Sequence, residues 1–139
     1  MNSIWPQLEP LLARVQKPAR YIGCEDGAQR PDHDGGRVAW LLIYPDTYEI
    51  GLPNQGLQIL YEILNERPDA LAERTYAPWV DLEPLLRAHR LPLFSVDTHT
   101  PAGDFDLLAF NHSAELVFTN VLNCIDLAGV PVRAADRRP

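Results

Sequence analysis

Residues Arg37 to Arg67 constrain the fold more than any other stretch. They read RVAWLLIY, then PDTYEIGLPNQG, then LQILYEILNER. A continuous apolar run of strand formers, a loop carrying Pro45, Gly51, Pro53 and Gly56, and apolar residues at helical spacing predict a strand–turn–helix unit, the first half of a βαβ crossover. Val38 to Tyr44 shows no polar alternation, so both faces of that strand are expected to be covered, as in the centre of a parallel sheet. The expected fold class is therefore α/β, a three-layer Rossmann-like parallel sheet. The loop after the strand leaves the carboxyl edge, where open α/β folds hold their ligands.

The rest of the chain reads as further strands and helices. Ile4, Leu8, Leu11, Leu12 and Val15 predict an amphipathic helix over about Ile4 to Gln16, and the two prolines and four glycines between Lys17 and Gly36 predict an extended arm. The helix after the first strand is expected to end near Arg67, ahead of Pro68. Leu71 to Ala77 is expected to be a second strand, weaker because Glu73 and Arg74 interrupt it. Asp81 is expected to cap a helix carrying Leu82, Leu85, Leu86 and His89. Leu93 to Val96 reads as a short edge strand, Thr98 to Asp104 as a turn, and Phe105 to Phe110 as a strong buried strand. Ser113 is expected to cap a helix with Val117, Val121, Cys124, Ile125 and Ala128 on its core stripe, stopped by Gly129. Val130 to Ala135 reads as the start of another strand, so the domain looks incomplete at its carboxyl end.

Charge and composition exclude some classes. Twelve basic against nineteen acidic residues give a net charge of −7, and no basic stripe is present of the kind that a nucleic-acid binder carries. The longest apolar run falls far short of the ~20 residues that span a bilayer, so the expected location is cytoplasmic. Cys24 and Cys124 are too few for a disulfide scaffold and read as reduced thiols, Cys124 as a small core residue. Asp32, His33 and Asp34 are adjacent, which is poor geometry for one metal ion, and read as a solvated turn.

Neighbouring parallel strands place their carboxyl-end loops side by side. The first loop offers Asp46, Tyr48, Glu49, Asn54 and Gln55; the loop after Phe110 offers Asn111, His112, Ser113 and Glu115. A hydrolase or isomerase would pair His112 with Asp46 or Glu115. No Gly-x-Ser-x-Gly elbow, phosphate loop or metal cluster accompanies them, and polar residues at strand ends commonly serve as caps and turn formers. That enzyme reading ranks last.

Several longer segments carry a resemblance. KPARYIG, PDTYEIG, GLQILYEILNERPDALAERTYAPW, LPLFSVDT and AGVPVRAADR are similar to the N-terminal region of cobalamin-binding-domain radical SAM proteins, over roughly Lys17 to Arg137. The resemblance implies a flavodoxin-like, cobalamin-binding type of domain at 37–139, truncated, preceded by a helix and extended arm at 1–36. Its partner would be a C-terminal radical SAM barrel of the same parent chain, holding a 4Fe–4S cluster and S-adenosylmethionine. No Cys-x-x-x-Cys-x-x-Cys occurs here.

The cobalamin signature of that family is Asp-x-His-x-x-Gly after the first strand, its His ligating cobalt from below. Here Asp46, Tyr48 and Gly51 occupy that spacing, with a phenol of pKa about 10 where an imidazole would be the better ligand. The resemblance implies cofactor contacts at Asp46, Tyr48, Gly51, Asn54, Asn111, His112 and Ser113, with any cobalamin held without a histidine from the first loop. The family's Gly-Gly element after a fourth strand would lie beyond Pro139. Two readings follow: an accessory domain of a radical SAM enzyme, cobalamin-binding-like but lacking the lower-ligand His; or a degenerate domain that binds no cofactor and serves packing or partner recognition.

Overall fold

The computed structural model describes residues 2–137. Three parallel strands form one sheet in the order β2-β1-β3: β1 (Val38–Tyr44) pairs on one side with β2 (Ala70–Tyr76) and on the other with β3 (Leu107–Phe110). The expected central strand is thus central, with Ile43 opposite Thr75 and Phe110.

The helices cover both faces. After β1 come a single turn, α2 (Tyr48–Gly51), and α3 (Gln55–Glu66), whose Leu57 and Tyr61 pack on Leu42 and Ala72. On the opposite face lies α5 (Phe118–Leu127), whose Cys124 and Leu127 join Ala39, Leu41, Ile43 and Leu71 in the main core. Burial pushes the Cys124 thiol up to about 12, with the Glu83 charge adding to it. A separate apolar cluster joins α1 (Trp5–Leu12) to α4 (Glu83–His89) through Ile4, Leu8, Leu82, Leu86 and Phe94. This is the three-layer α/β architecture that the periodicity predicts.

Several local expectations are corrected. Residues 105 and 106 precede β3, which is only partly buried, because no strand flanks it on the side away from β1 among the described residues. The β2 strand is not weakened by Glu73 and Arg74; all seven of its residues are buried, because both charged side chains find partners inside. Leu93 to Val96 forms one isolated antiparallel bridge, Phe94 to Pro101, and not a strand. Residues 130–137 include a 3₁₀ turn, Ala134–Asp136, and no strand.

Neither predicted cap is formed. Asp81 instead accepts a hydrogen bond from the Gln16 amide, 2.9 Å, tying the end of the first helical region to the start of α4. Ser113 is exposed, and a 3₁₀ turn, Glu115–Val117, leads into α5. Of the stripe predicted for that helix, Cys124 and Ala128 are buried, Val117, Val121 and Ile125 only half-buried. The Asp32–His33–Asp34 turn is not simply solvated, since His33 reaches in to pair with the carboxylate of Glu73.

Candidate functional site

The exits of β1 and β3 lie on one rim, as their parallel pairing requires, and Asn111 continues the ladder by donating to the Ile43 carbonyl at 2.9 Å. The two loops that leave this rim then diverge. The β3 exit lines an open groove with α3: Leu42 and Ala109 form its floor, Leu57 and Leu60 one wall, and Asn111, His112 and Ser113 the other. His112 is exposed and packs edge-on against Phe118, ring centroids 6.1 Å apart. The Oδ1 of Asn111 is buried and has no hydrogen-bond partner.

The β1 exit turns the other way, toward β2. Asp46 accepts from the Thr47 amide through its side chain, 2.7 Å, and from Ala77 through its carbonyl, 2.9 Å. Those bonds shape a turn and join the ends of β1 and β2. Asn54 caps α3, its Oδ1 accepting from Leu57 at 2.9 Å. At Gly51 a Cβ would stand 2.4 Å from the Tyr76 ring and 3.0 Å from the Tyr44 Cβ, so the residue is glycine because two tyrosines press on it.

Tyr48 is the decisive residue. Its ring packs edge-on against Tyr76 of β2, centroids 5.4 Å apart, and its hydroxyl donates to Glu25 Oε1 at 2.6 Å. Burial, followed by the hydrogen bond to Glu25 and its charge, holds the phenol well above its ordinary pKa. It is therefore a neutral donor to a carboxylate. Its side chain lies on the β2 side of β1, whereas the Asn111–Ser113 groove opens on the β3 side.

Glu25 leads into a buried polar network that the sequence reading did not single out. Arg74, 2% exposed, bonds Asp97 at 2.8 Å through its guanidinium and at 2.7 Å through its own backbone amide. The guanidinium also faces Glu25 Oε2 at 3.7 Å and stacks over the Tyr61 ring at 4.3 Å. Burial raises the Asp97 pKa in spite of Arg74, and burial likewise raises those of Tyr61 and Tyr76. For Arg74 burial is the largest single influence and works against the charge, but the Asp97 hydrogen bond and charge, with Tyr76 and Tyr61, together outweigh it and the pKa is raised. Beside this network, Tyr61 bonds both backbone groups of Gln29, and Gly23 at φ +60 lies so close to Val96 that a Cβ would overlap its carbonyl. The arm is thus stapled over β2. The one signal in the sequence was Glu73-Arg74 inside a strand of otherwise strand-like residues; buried charges demand partners, but sequence does not name them.

What this arrangement can hold is limited. Among the described residues no group of three or more His, Cys, Asp or Glu side chains could take a metal ion, and no helix is long and apolar enough to cross a membrane. His112 has no carboxylate among its hydrogen-bond partners, and Asp46 and Glu115 do not line its groove. The residues in the place of the cobalamin signature do not fit cobalt ligation: Asp46 shapes a turn, Tyr48 is committed to Glu25 and Gly51 to packing, and Asn54 beyond them caps a helix.

A parallel sheet with helices on both faces and a groove at one strand exit defines an open Rossmann-like α/β domain. The family described as radical SAM proteins, N-terminal, matches residues 56–139, more than half of the sequence. The chain belongs to that family. No curated protein and no solved structure matches it.

Proposed function

We propose that this chain is the N-terminal accessory domain of a radical SAM enzyme, a cobalamin-type fold whose first loop has been turned from ligating cobalt to fastening the arm. Its role is then packing and partner recognition beside a C-terminal barrel that would carry the cluster and S-adenosylmethionine. The observation that carries this reading is the Tyr48–Glu25 hydrogen bond, which, with the packing on Tyr76, keeps the Tyr48 side chain on the β2 side of the sheet. Retention of fold without the ligand set is ordinary, because function resides in the site and not in the architecture.

The second reading, cobalamin held without any histidine from the first loop, draws support from the open apolar groove and the unpartnered Asn111 Oδ1. Titrating hydroxocobalamin into the parent protein separates the two. A cofactor that binds the folded state raises its melting temperature by mass action. The proposal expects no saturable change in the visible spectrum and no rise in melting temperature. A saturable shift in both would overturn it in favour of the second reading.

A further inference from the structure

A carboxylate that merely braces a loop is expected to make all its hydrogen bonds or to stay in water, because an unmade bond on a buried charge is costly. Glu25 does neither. Its side chain is 11% exposed; Oε1 accepts from the Tyr48 hydroxyl, while Oε2 is buried, has no hydrogen-bond partner among the described residues, and lies 3.7 Å from the Arg74 guanidinium. The Tyr76 hydroxyl, in a residue 5% exposed, is likewise without a partner among the described residues. Burial raises its pKa, with the charges of Asp97 and Glu25 adding to the shift and that of Arg74 opposing it, so it remains a proton donor.

The donors around Glu25 stand on ordered elements, and Glu25 does not. Arg74 and Tyr76 are two residues apart on β2 and so share a face, and Tyr48 opens α2 just after β1. They lie toward the carboxyl ends of two parallel strands, where open α/β sheets bind their ligands. Glu25 instead heads a surface turn, in which the Ala28 amide donates to the Glu25 carbonyl at 3.1 Å. Gly23 against Val96 anchors one end of this turn, and Gln29 on Tyr61 the other. Between them Cys24, Asp26 and Gly27 are exposed, and a Cβ at Gly27 would meet nothing. Glu25 is the one side chain of residues 24–28 with a hydrogen bond to the rest of the described protein.

We propose that Tyr48, Arg74 and Tyr76 form a binding site for a monoanionic carboxylate, and that Glu25 occupies it as a tethered stand-in which a free carboxylate displaces by lifting residues 24–28. This goes beyond the packing role proposed above and requires neither cobalamin nor the cluster. Charge selects the ligand. Arg74 is already paired with Asp97 at 2.8 Å, so without Glu25 the site has no net charge and offers hydroxyl donors and the open side of a guanidinium. One negative charge is accommodated, as Glu25 shows, whereas a phosphate dianion would bring a second beside Asp97. A free carboxylate, unconstrained by the turn, can close the 3.7 Å gap to Arg74 that Glu25 Oε2 leaves open.

Titrating acetate into the full-length parent protein carrying Glu25→Ala tests this, at constant ionic strength and with chloride and inorganic phosphate as the comparison anions. A ligand that binds the folded state raises its melting temperature by mass action. Glu25→Ala should show a saturable rise in acetate that neither chloride nor phosphate gives. Adding Tyr48→Phe should weaken acetate at least tenfold, because that hydroxyl bonds a charged group. In the wild type Glu25 leaves the site open less than about a tenth of the time, so at least tenfold more acetate should be needed. The amides of residues 24–28 should then exchange faster with acetate while those of β2 do not. A cooperative melt of Glu25→Ala that acetate moves no further than chloride overturns the proposal, and so does an equal acetate response with and without the Tyr48 hydroxyl. A larger rise with phosphate overturns the choice of a monoanion, and exchange at 24–28 that acetate leaves unchanged in the wild type overturns the displacement. If Glu25→Ala does not fold in chloride, refolding in acetate decides: recovery of a cooperative melt supports the site, and no recovery overturns it.

Discussion

The hydroxyl of Tyr48 donates to Glu25 Oε1 at 2.6 Å, joining the loop after the central strand to an arm 23 residues earlier. Glu25 Oε2 is buried with no hydrogen bond of its own and only the Arg74 charge nearby, 3.7 Å away. The carboxylate therefore depends on Tyr48. The loop that would hold a cofactor in a cobalamin domain is here part of the fastening of the arm over β2.

Tyr48→Phe keeps the packing on Tyr76 and removes the hydroxyl. A hydrogen bond to a charged group contributes about 1.5–3 kcal/mol. Urea denaturation should show a loss of that size, and limited proteolysis should cut the arm between residues 24 and 36 faster. Unchanged stability and an uncut arm would show that the bond fastens nothing.

Gly51→Ala would place a methyl group against the Tyr76 and Tyr44 side chains, both within 3.0 Å of the new atom. Overpacking of this kind costs about 1–3 kcal/mol. The expected result is a lower denaturation midpoint with an unchanged slope. A midpoint equal to the wild type would mean that the two tyrosines are not held against the α2 turn.

Asp97→Ala strands the Arg74 guanidinium, which is nearly inaccessible, beside the Tyr61 ring. Breaking a buried pair by removing one partner destabilises by about 3–5 kcal/mol. The double variant Asp97→Ala with Arg74→Met should recover part of the loss, because the uncompensated charge is gone. If the single and double variants unfold at the same midpoint, the two side chains are not coupled.

His99 is buried among Trp5 and Phe94, at φ +61, and its Nε2 donates to the Tyr21 carbonyl at 2.8 Å. Burial lowers its pKa below the ordinary 6.5, the Tyr21 carbonyl and Glu73 opposing that shift and Arg30 adding to it. The unfolded chain thus protonates first as pH falls. Stability is full above about pH 6.5 and declines below it until the folded-state pKa is passed. His99→Asn, whose side chain tolerates positive φ, should flatten this part of the pH profile; an identical profile would place the titration elsewhere.

Local pattern was enough to read the fold and insufficient to read the site. Val38–Tyr44 is a strand within its predicted bounds, and α3 ends one residue before the predicted Arg67, because an apolar run and a proline act over a few residues. The central position of β1 followed from its lack of polar alternation. Asp81 and Ser113 were natural caps by type, yet Asp81 serves Gln16, 65 residues away, and Ser113 serves no helix. The resemblance aligns Tyr48 with a ligand position, but the side of the sheet it occupies depends on Glu25 and Tyr76. Contacts across such separations leave no periodic trace. The same holds for Val130–Ala135, whose residues suit a strand but form none among the described residues.

Cobalt and iron content of the full-length parent, purified without oxygen from cells supplied with cobalamin, tests the central claim most directly. The account predicts iron at the level of a 4Fe–4S cluster with cobalt far below one atom per chain, in the wild type and in Tyr48→Phe alike. One cobalt per chain, retained through purification, would contradict it.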